Sequence, residues 1–331
     1  MDRAVQETDY DAFSCKVSAI AKHYLPRQVS GKEKEEGEFV QLHMAYAQGL
    51  KSVSRRAYSK VDRAVQSAQP VMNYGTYLRS VAIDEAIACF LKEHVKSGAE
   101  APVQVVNLGC GSDLRMTQML SQVPHLKWLD LDFKESVALK SRILENNPLF
   151  QRELGPSESV ETAGYLTNRY CLTSCDLNDI AQVAEILKKF TTQDCPTLVL
   201  SECVLCYMKS AESKALINCI ESFYKMGTWI SYDPIGGDDS ADKFGKIMQT
   251  NLRESRHLEM PTLMVYNSPE KYAQRFNTAP HSTSIVTMWQ YYVQSVPDEE
   301  KMRLKTLQFL DEIEELEIIL SHYILAEASW R

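Results

Sequence analysis

The sequence predicts an α/β fold: a doubly wound, mainly parallel sheet with helices on both faces. Three observations predict it. Short β-rich runs recur at 103–109, 125–132, 170–175, 196–202 and 228–234. Helical patterns of about 10–15 residues separate them, the alternation of βαβ units. The first run ends in Gly109-Cys110-Gly111, glycines that let backbone approach a ligand closely.

Taken in order, residues 1–102 read as a helical cover. TDYDAFSCKVSAIAKHY (8–24) predicts a helix capped by Thr8 or Asp9. GKEKEEGE (31–38) reads as a solvated charged stretch or linker. Helical periodicity over 39–69 places most of Lys51, Arg55, Arg56, Lys60 and Arg63 on one face, either solvated or a docking patch for an acidic partner. PVMNYGT (70–76) predicts a turn, 77–96 a helix and KSGAEAP (96–102) a linker.

From 103 to 331 the alternating pattern follows. The strands are VQVVNLG, HLKWLDLD, YCLTSC, PTLVLSE and TWISYDP, with helices at 113–122, 134–147, 178–190 and 211–226. After a GGDD turn comes a helix at 239–256, within an expected helical insertion at about 236–300. ELEII and HYILAEA in the tail suggest a final antiparallel pair, bringing the sheet to seven strands.

Composition narrows the function. Hydrophobic residues make up 44% of the 331 and charged residues 24%, values of an ordinary globular chain rather than a disordered one. The net charge of −8 disfavours a nucleic-acid binder, whose footprint is basic. No apolar run is long enough for a membrane span, and MDRAVQETDYD has no apolar signal core. A cytoplasmic location is expected. Nine cysteines, an odd number in a long chain, point to reduced thiols. Cys203 and Cys206 form a CxxC, but inside the apolar run TLVLSECVLCYM, and no second CxxC or HxxxH completes a zinc set; inert buried thiols are expected. The seven histidines form no metal-spaced pair, and no G-x-S-x-G elbow is present.

Ligands of such sheets bind beyond the carboxyl ends of the strands. Those ends carry Asn107 to Asp113, Asp130 and Asp132, Asp176-Leu177-Asn178-Asp179, Ser201-Glu202 and Tyr232-Asp233-Pro234. One acid there means little, because loops are wet; five in register beside a G-x-G favour a ligand site. Asp132 follows Gly109 by about 20 residues, the spacing at which an acid reaches ribose hydroxyls. The third glycine of a dinucleotide fingerprint is replaced by Leu114, and Asp113 at the helix start would repel a phosphate. These features fit a nucleoside without phosphates, such as S-adenosylmethionine. They disfavour a nicotinamide-dependent oxidoreductase.

NLGCGSDLR, MNYGTYLR, SECVLCYM, WISYDPI, DKFGKIMQTNL and FLDEIEEL, spread over nearly the whole chain, resemble the leucine carboxyl methyltransferases, their fungal form most. The resemblance implies a sheet of the S-adenosylmethionine-dependent methyltransferase type. It implies methyl transfer to the C-terminal leucine carboxylate of the type-2A protein phosphatase catalytic subunit, with a role in phosphatase assembly; a monomer is expected, although the sequence does not fix the oligomeric state. It implies that Gly109 lines the methionyl and ribose region, Asp132 holds the ribose, Asp176 and Leu177 frame the adenine, and Glu202 lies by the cofactor's amino group. Arg79 and Lys16 would be the cations for carboxylate recognition, and Tyr207 would lie near the transferred methyl. On their own, Arg79 reads as a surface ion pair, Lys16 as exposed and Tyr207 as core. An unpaired Glu202 would be costly, so a cationic partner is expected. The family's tRNA wybutosine-synthesising paralogue is longer and carries a repeat domain; this chain has no repeat. A non-catalytic phosphatase-binding module is the alternative outside enzymes.

Overall fold

The computed structural model describes residues 2–29, 31–95, 102–158, 164–237, 241–276 and 282–331. Four helices come first: α1 (Asp2–Ala21), α2 (Glu33–Val53), α3 (Arg55–Ser67) and α4 (Pro70–His94). The alternating part runs β1 (Val103–Leu108), α5 (Arg115–Gln122), β2 (Leu126–Asp132), α6 (Lys134–Glu145), α7 (Pro148–Leu154), β3 (Tyr165–Leu166), β4 (Tyr170–Ser174), α8 (Ile180–Phe190), β5 (Thr197–Glu202), α9 (Ser210–Phe223) and β6 (Gly227–Pro234). The last part is α10 (Phe244–Arg256), α11 (Pro269–Ala273), β7 (Ser282–Thr287), α12 (Met288–Gln294), α13 (Asp298–Leu307), α14 (Ile313–Ser321) and β8 (Tyr323–Trp330).

One sheet has the order β3-β4-β2-β1-β5-β6-β8-β7. β4, β2, β1, β5 and β6 are mutually parallel, and β8 runs antiparallel to both β6 and β7. Seven strands were expected; the eighth is the two-residue β3, antiparallel on the outer edge of β4. The central strands are apolar throughout because both faces are covered. Val105, Trp128, Leu198 and Ile230 face a core shared with the N-terminal helices, α5 and α6. Val106, Leu129, Val199 and Trp229 face a second core against α8 and α9. The chain steps outward from β1 through β2 to β4, then returns to β5 on the other side of β1. The switch point therefore lies between β1 and β5, and Gly109 and Glu202 stand on its two sides.

Several local expectations need correction. α1 begins six residues before Thr8, so neither Thr8 nor Asp9 caps it; both lie inside the helix. The charged stretch 31–38 is mostly the exposed start of α2. The pattern over 39–69 is two helices, since Ser54 ends α2 in extended backbone and caps α3 by accepting from the Ala57 amide. Lys51 is thus on a different helix from the other four cations. PVMNYGT is the first part of α4, with Pro70 at the helix start, where its missing N–H costs nothing. ELEII is helical: Leu316 and Leu320, four apart, are the buried stripe of α14. The partner of β8 beyond β6 is β7, from within the insertion, which is therefore not wholly helical. Residues 96–101 of the expected linker and the end of the GGDD turn lie outside the described residues. No helix among the described residues is long and apolar enough to cross a membrane.

Candidate active site

A cavity of about 710 Å³ opens over the switch point, within the roughly 300–1,000 Å³ usual for small-molecule sites. All eight residues singled out from the sequence line it: Lys16, Arg79, Gly109, Asp132, Asp176, Leu177, Glu202 and Tyr207.

The floor is built from strand ends. Gly109 and Gly111 have φ of 60° and 43°, the left-handed region that glycine reaches without strain. A Cβ on Gly109 would meet Val204 Cγ2 at 2.7 Å, so the loop after β1 and the loop after β5 touch. Asp132, at the end of β2, accepts from the Gly111 and Phe133 amides at 2.7 Å each. Among the described residues no cation is bonded to it; burial pushes its carboxyl above the usual range despite these amides. Asp176 is exposed on the loop after β4 and accepts from the Asn178 amide and side chain at 2.9 and 3.0 Å; Leu177 beside it is half-buried.

Glu202 is not waiting for a cation, as the sequence suggested. Arg79 Nε of α4 donates to its Oε1, and Arg115 Nη1 of α5 donates to its Oε2 at 2.6 Å. Burial alone would raise this carboxyl, but Arg115, Arg79 and Lys16 overcome it and hold it well below the ordinary range. The next residue, Cys203, is in the left-handed region at φ 56° and donates its amide to Tyr232 O at 2.7 Å, which turns the chain sharply after β5. Burial pushes the Cys203 thiol up to about 12 and the Cys206 thiol well up, which disfavours the thiolate at both. Cys203 is half-buried in the cavity wall rather than in the core.

Arg79 is not a surface residue. Its guanidinium lies over the Tyr232 ring at 5.2 Å. Among the described residues its two terminal nitrogens make no hydrogen bond, leaving an open fork. Lys16 is half-buried rather than exposed, and burial, reinforced by Arg115, pulls its ammonium below the lysine range against Glu202, Asp84 and Asp113. Tyr207, on a 3-10 turn at Leu205–Tyr207, is half-buried in the wall.

Sequence reasoning missed three residues that line this cavity, Arg115, Asp9 and His43, and one, Asp84, that bonds Arg115 from outside it. Arg115 joins Glu202 to Asp113 at 3.1 Å and to Asp84 at 2.5 Å. Asp9 of α1 accepts from the Ser112 amide and hydroxyl at 2.7 and 2.8 Å, fastening α1 across the glycine loop. His43 of α2 is buried and neutral, its Nδ1 bonded to Phe39 O at 2.8 Å; desolvation pulls it down to about 3. Asp84 is reached only through the packing of α4 on α5. A signal for Arg115 was present: it opens α5, the helix end where a cation is disfavoured. Among the described residues no His, Cys, Asp and Glu cluster is gathered for a metal.

A parallel sheet with this switch point and an acid-rimmed, glycine-floored cavity defines a methyltransferase of the S-adenosylmethionine-dependent fold type. The comparisons agree. The sequence model of the family described as "Leucine carboxyl methyltransferase" matches residues 34–221. Leucine carboxyl methyltransferase 1 of Kluyveromyces lactis is 48% identical, with all of both chains covered. That of Eremothecium gossypii is 46% identical, again over all of both chains. A solved Thermobifida fusca structure, provisionally assigned as a methyltransferase, superposes with a TM-score of 0.53 at 11% identity, over 86% of this chain and 94% of that one. The chain belongs to the leucine carboxyl methyltransferase family.

Proposed function

We propose that this chain transfers a methyl group from S-adenosylmethionine to the C-terminal leucine carboxylate of the type-2A protein phosphatase catalytic subunit. The cavity has the donor set such a cofactor requires. Carboxylates at the ends of β2 and β4 (Asp132 and Asp176) suit ribose and adenine, Leu177 gives an apolar edge, and Glu202 faces a cationic amino group. When bound, the cofactor supplies an electrophilic methyl on a positively charged sulfur.

The observation that carries the reading is the open fork of Arg79. One edge of the guanidinium is fixed by Glu202 and the other is left for a second carboxylate, with Lys16 beside the same cluster. A planar fork matches a carboxylate bidentately. A terminal α-carboxyl has a pKa of about 3.3–3.7, so the accepting oxygen is already ionised at neutral pH and needs no base. The tasks left to the protein are orientation and drying. Orientation contributes roughly 7–11 kcal/mol in favourable cases. The two cations should hold the anion without neutralising it fully, which the pairing of Arg79 with Glu202 assists. α1, fastened by Asp9 to the glycine loop and by Asp11 to Arg256 of α10, shields the cavity from water.

A protein tail fits better than a small acid, because the cavity is walled by α1, α4 and the insertion. Arg55, Arg56 and Arg63 lie exposed on α3, a surface suited to an acidic partner. Lys60 is half-engaged by Glu7 at 3.2 Å. Nine free thiols accord with a reducing compartment, the setting of a cytoplasmic enzyme.

The test is incubation with labelled S-adenosylmethionine and either intact phosphatase catalytic subunit or a form lacking its last leucine. Base-labile label on the intact protein alone is expected. Label on both, or on neither, would reject the assignment; a mere phosphatase-binding module would transfer nothing.

A further inference from the structure

We propose that Arg115 is the positioning residue of this site, holding Glu202 in the one orientation that leaves its remaining lone pairs toward the cavity. The inference rests on the reading that the cavity binds S-adenosylmethionine.

Arg115 has no reason of its own to be where it is. It opens α5, where the helix dipole opposes a cation. Its side chain is 7% exposed, and Nη2 is buried without a hydrogen-bond partner among the described residues. Burying a guanidinium with an orphan nitrogen is costly unless its other bonds are strong. They are strong, and they converge from three elements: Glu202 at the end of β5, Asp113 in the loop after β1, and Asp84 of α4. Asp113 is itself fixed by Asn107 Nδ2 at 3.2 Å, and it caps the Arg115 amide at 3.1 Å. The guanidinium therefore ties the two lips of the switch point, β1 and β5, to the helix that carries Arg79.

Glu202 is thus bonded once on each oxygen by two arginines on different helices. A carboxylate has about four acceptor sites. Two remain, and Glu202 lines the cavity, so a ligand ammonium is met by an anion whose rotamer is already set. Arg79 fixes one oxygen but also offers its free nitrogens to the cavity; every hydrogen bond Arg115 makes through its side chain goes to Glu202, Asp113 or Asp84, and its remaining nitrogen is buried.

The test is calorimetric binding of S-adenosylhomocysteine, which does not react, to the full chain and three variants: Arg115→Lys, Glu202→Gln and the double substitution. Lysine keeps the charge and loses the fork. We expect Arg115→Lys to weaken binding about tenfold, the scale of one charge-assisted hydrogen bond. In the Glu202→Gln background the same change should cost less than about twofold, because the effect runs through Glu202. Equal losses in both backgrounds, or no loss in Arg115→Lys, would overturn the proposal.

Arg115→Met gives a second readout where it folds. Glu202 is faced by Arg79 of α4, Arg115 of α5, Lys16 of α1, Asp113 of the first loop, Cys203 and Tyr232 of β6. Arg115 is the foremost of the cations holding its carboxyl low. The parent should bind evenly from pH 5 to 8, while Arg115→Met should lose affinity as pH falls; an unchanged profile would count against Arg115. A parent chain that binds no S-adenosylhomocysteine at all would remove the cofactor reading itself, a result distinct from additive variants on a parent that binds.

Discussion

Two carboxylates sit on the strands that flank β1, on opposite sides, and they are finished differently. Asp130 of β2 is fully buried and accepts four hydrogen bonds, two on each oxygen: Asn107 at 3.1 Å and Trp128 at 2.7 Å, then Lys140 and Tyr170 at 2.8 Å each. Glu202 of β5 accepts one on each oxygen and opens on the cavity. Saturation of every lone pair makes a structural joint. Spare capacity at a cavity wall makes a binding group. In the sequence Asp130 and Asp132 look alike, and only the count of partners and access to the cavity tell them apart.

The largest expected effect lies at the saturated joint. Asp130→Asn presents an NH₂ to donors of which Trp128 Nε1 and the Tyr170 hydroxyl have no other acceptor among the described residues, and leaves Lys140 buried without its anion, bonded only to the Asp113 carbonyl at 2.7 Å. Breaking a buried ion pair by removing one partner costs about 3–5 kcal/mol. Urea denaturation should show a loss of that size, while the folded fraction keeps most of its methyl-transfer rate per active site. A loss under about 1 kcal/mol would mean that counting lone pairs does not separate joint from site.

At the open carboxylate the pattern should reverse. Arg79→Ala removes one of the two arginines bonded to Glu202 and, with it, the open fork beside that carboxylate. Charge-assisted hydrogen bonds are worth about 1.5–3 kcal/mol each, and each 1.36 kcal/mol is tenfold in rate, so kcat/KM should fall by about two orders of magnitude or more. Thermal denaturation should move less than for Asp130→Asn, because Arg115 still holds Glu202. Near-parental turnover would take Arg79 out of the site.

The same contrast explains what the sequence could reveal. The sheet was legible because five apolar runs are buried on both faces and punctuated by glycine, proline or acid. The lining of the cavity was legible because the strand ends of such a sheet converge by topology, and the family motifs added Lys16, Arg79 and Tyr207. Partners were not legible. That Glu202 would meet Arg115, 87 positions away, depends on how α5 packs beside β5. ELEII misled because Glu-Leu-Glu-Ile alternates like a strand, and only the buried Leu316–Leu320 pair, one helical turn apart, decides against it. Pro, Asn and Gly in 70–76 suggest a turn, although proline at a helix start favours the helix and these residues are the first part of α4. Asp9 was read as a cap because it is an acid near a helix pattern, whereas its bonds go to Ser112, more than a hundred positions away.

Asp9 is the third member of the comparison and predicts the smallest effect. It accepts from an amide and a hydroxyl, and no cation among the described residues bonds it, so burial dominates and pushes its carboxyl up to about 6. The folded protein therefore binds this proton more tightly than the unfolded chain, whose aspartate titrates near 4. The stability that follows is present below about pH 4 and is lost as pH rises through about 6. His43 contributes with the opposite slope: held neutral to about 3 in the fold, it costs stability as pH falls below about 6.5. The two partly cancel between pH 4 and 6, which hides both in the parent's stability profile. Asp9→Asn separates them. The amide oxygen can still accept from the Ser112 N–H, and the buried charge is gone. The variant should gain about 3 kcal/mol over the parent at pH 8, a shift of that carboxyl being worth about 1.36 kcal/mol per unit. The gain should vanish by pH 4, because His43 is common to both proteins and drops out of the difference. Thermal denaturation of the pair from pH 4 to 8 reads that difference directly. Parallel curves would mean that the latch of α1 on the glycine loop carries no buried charge.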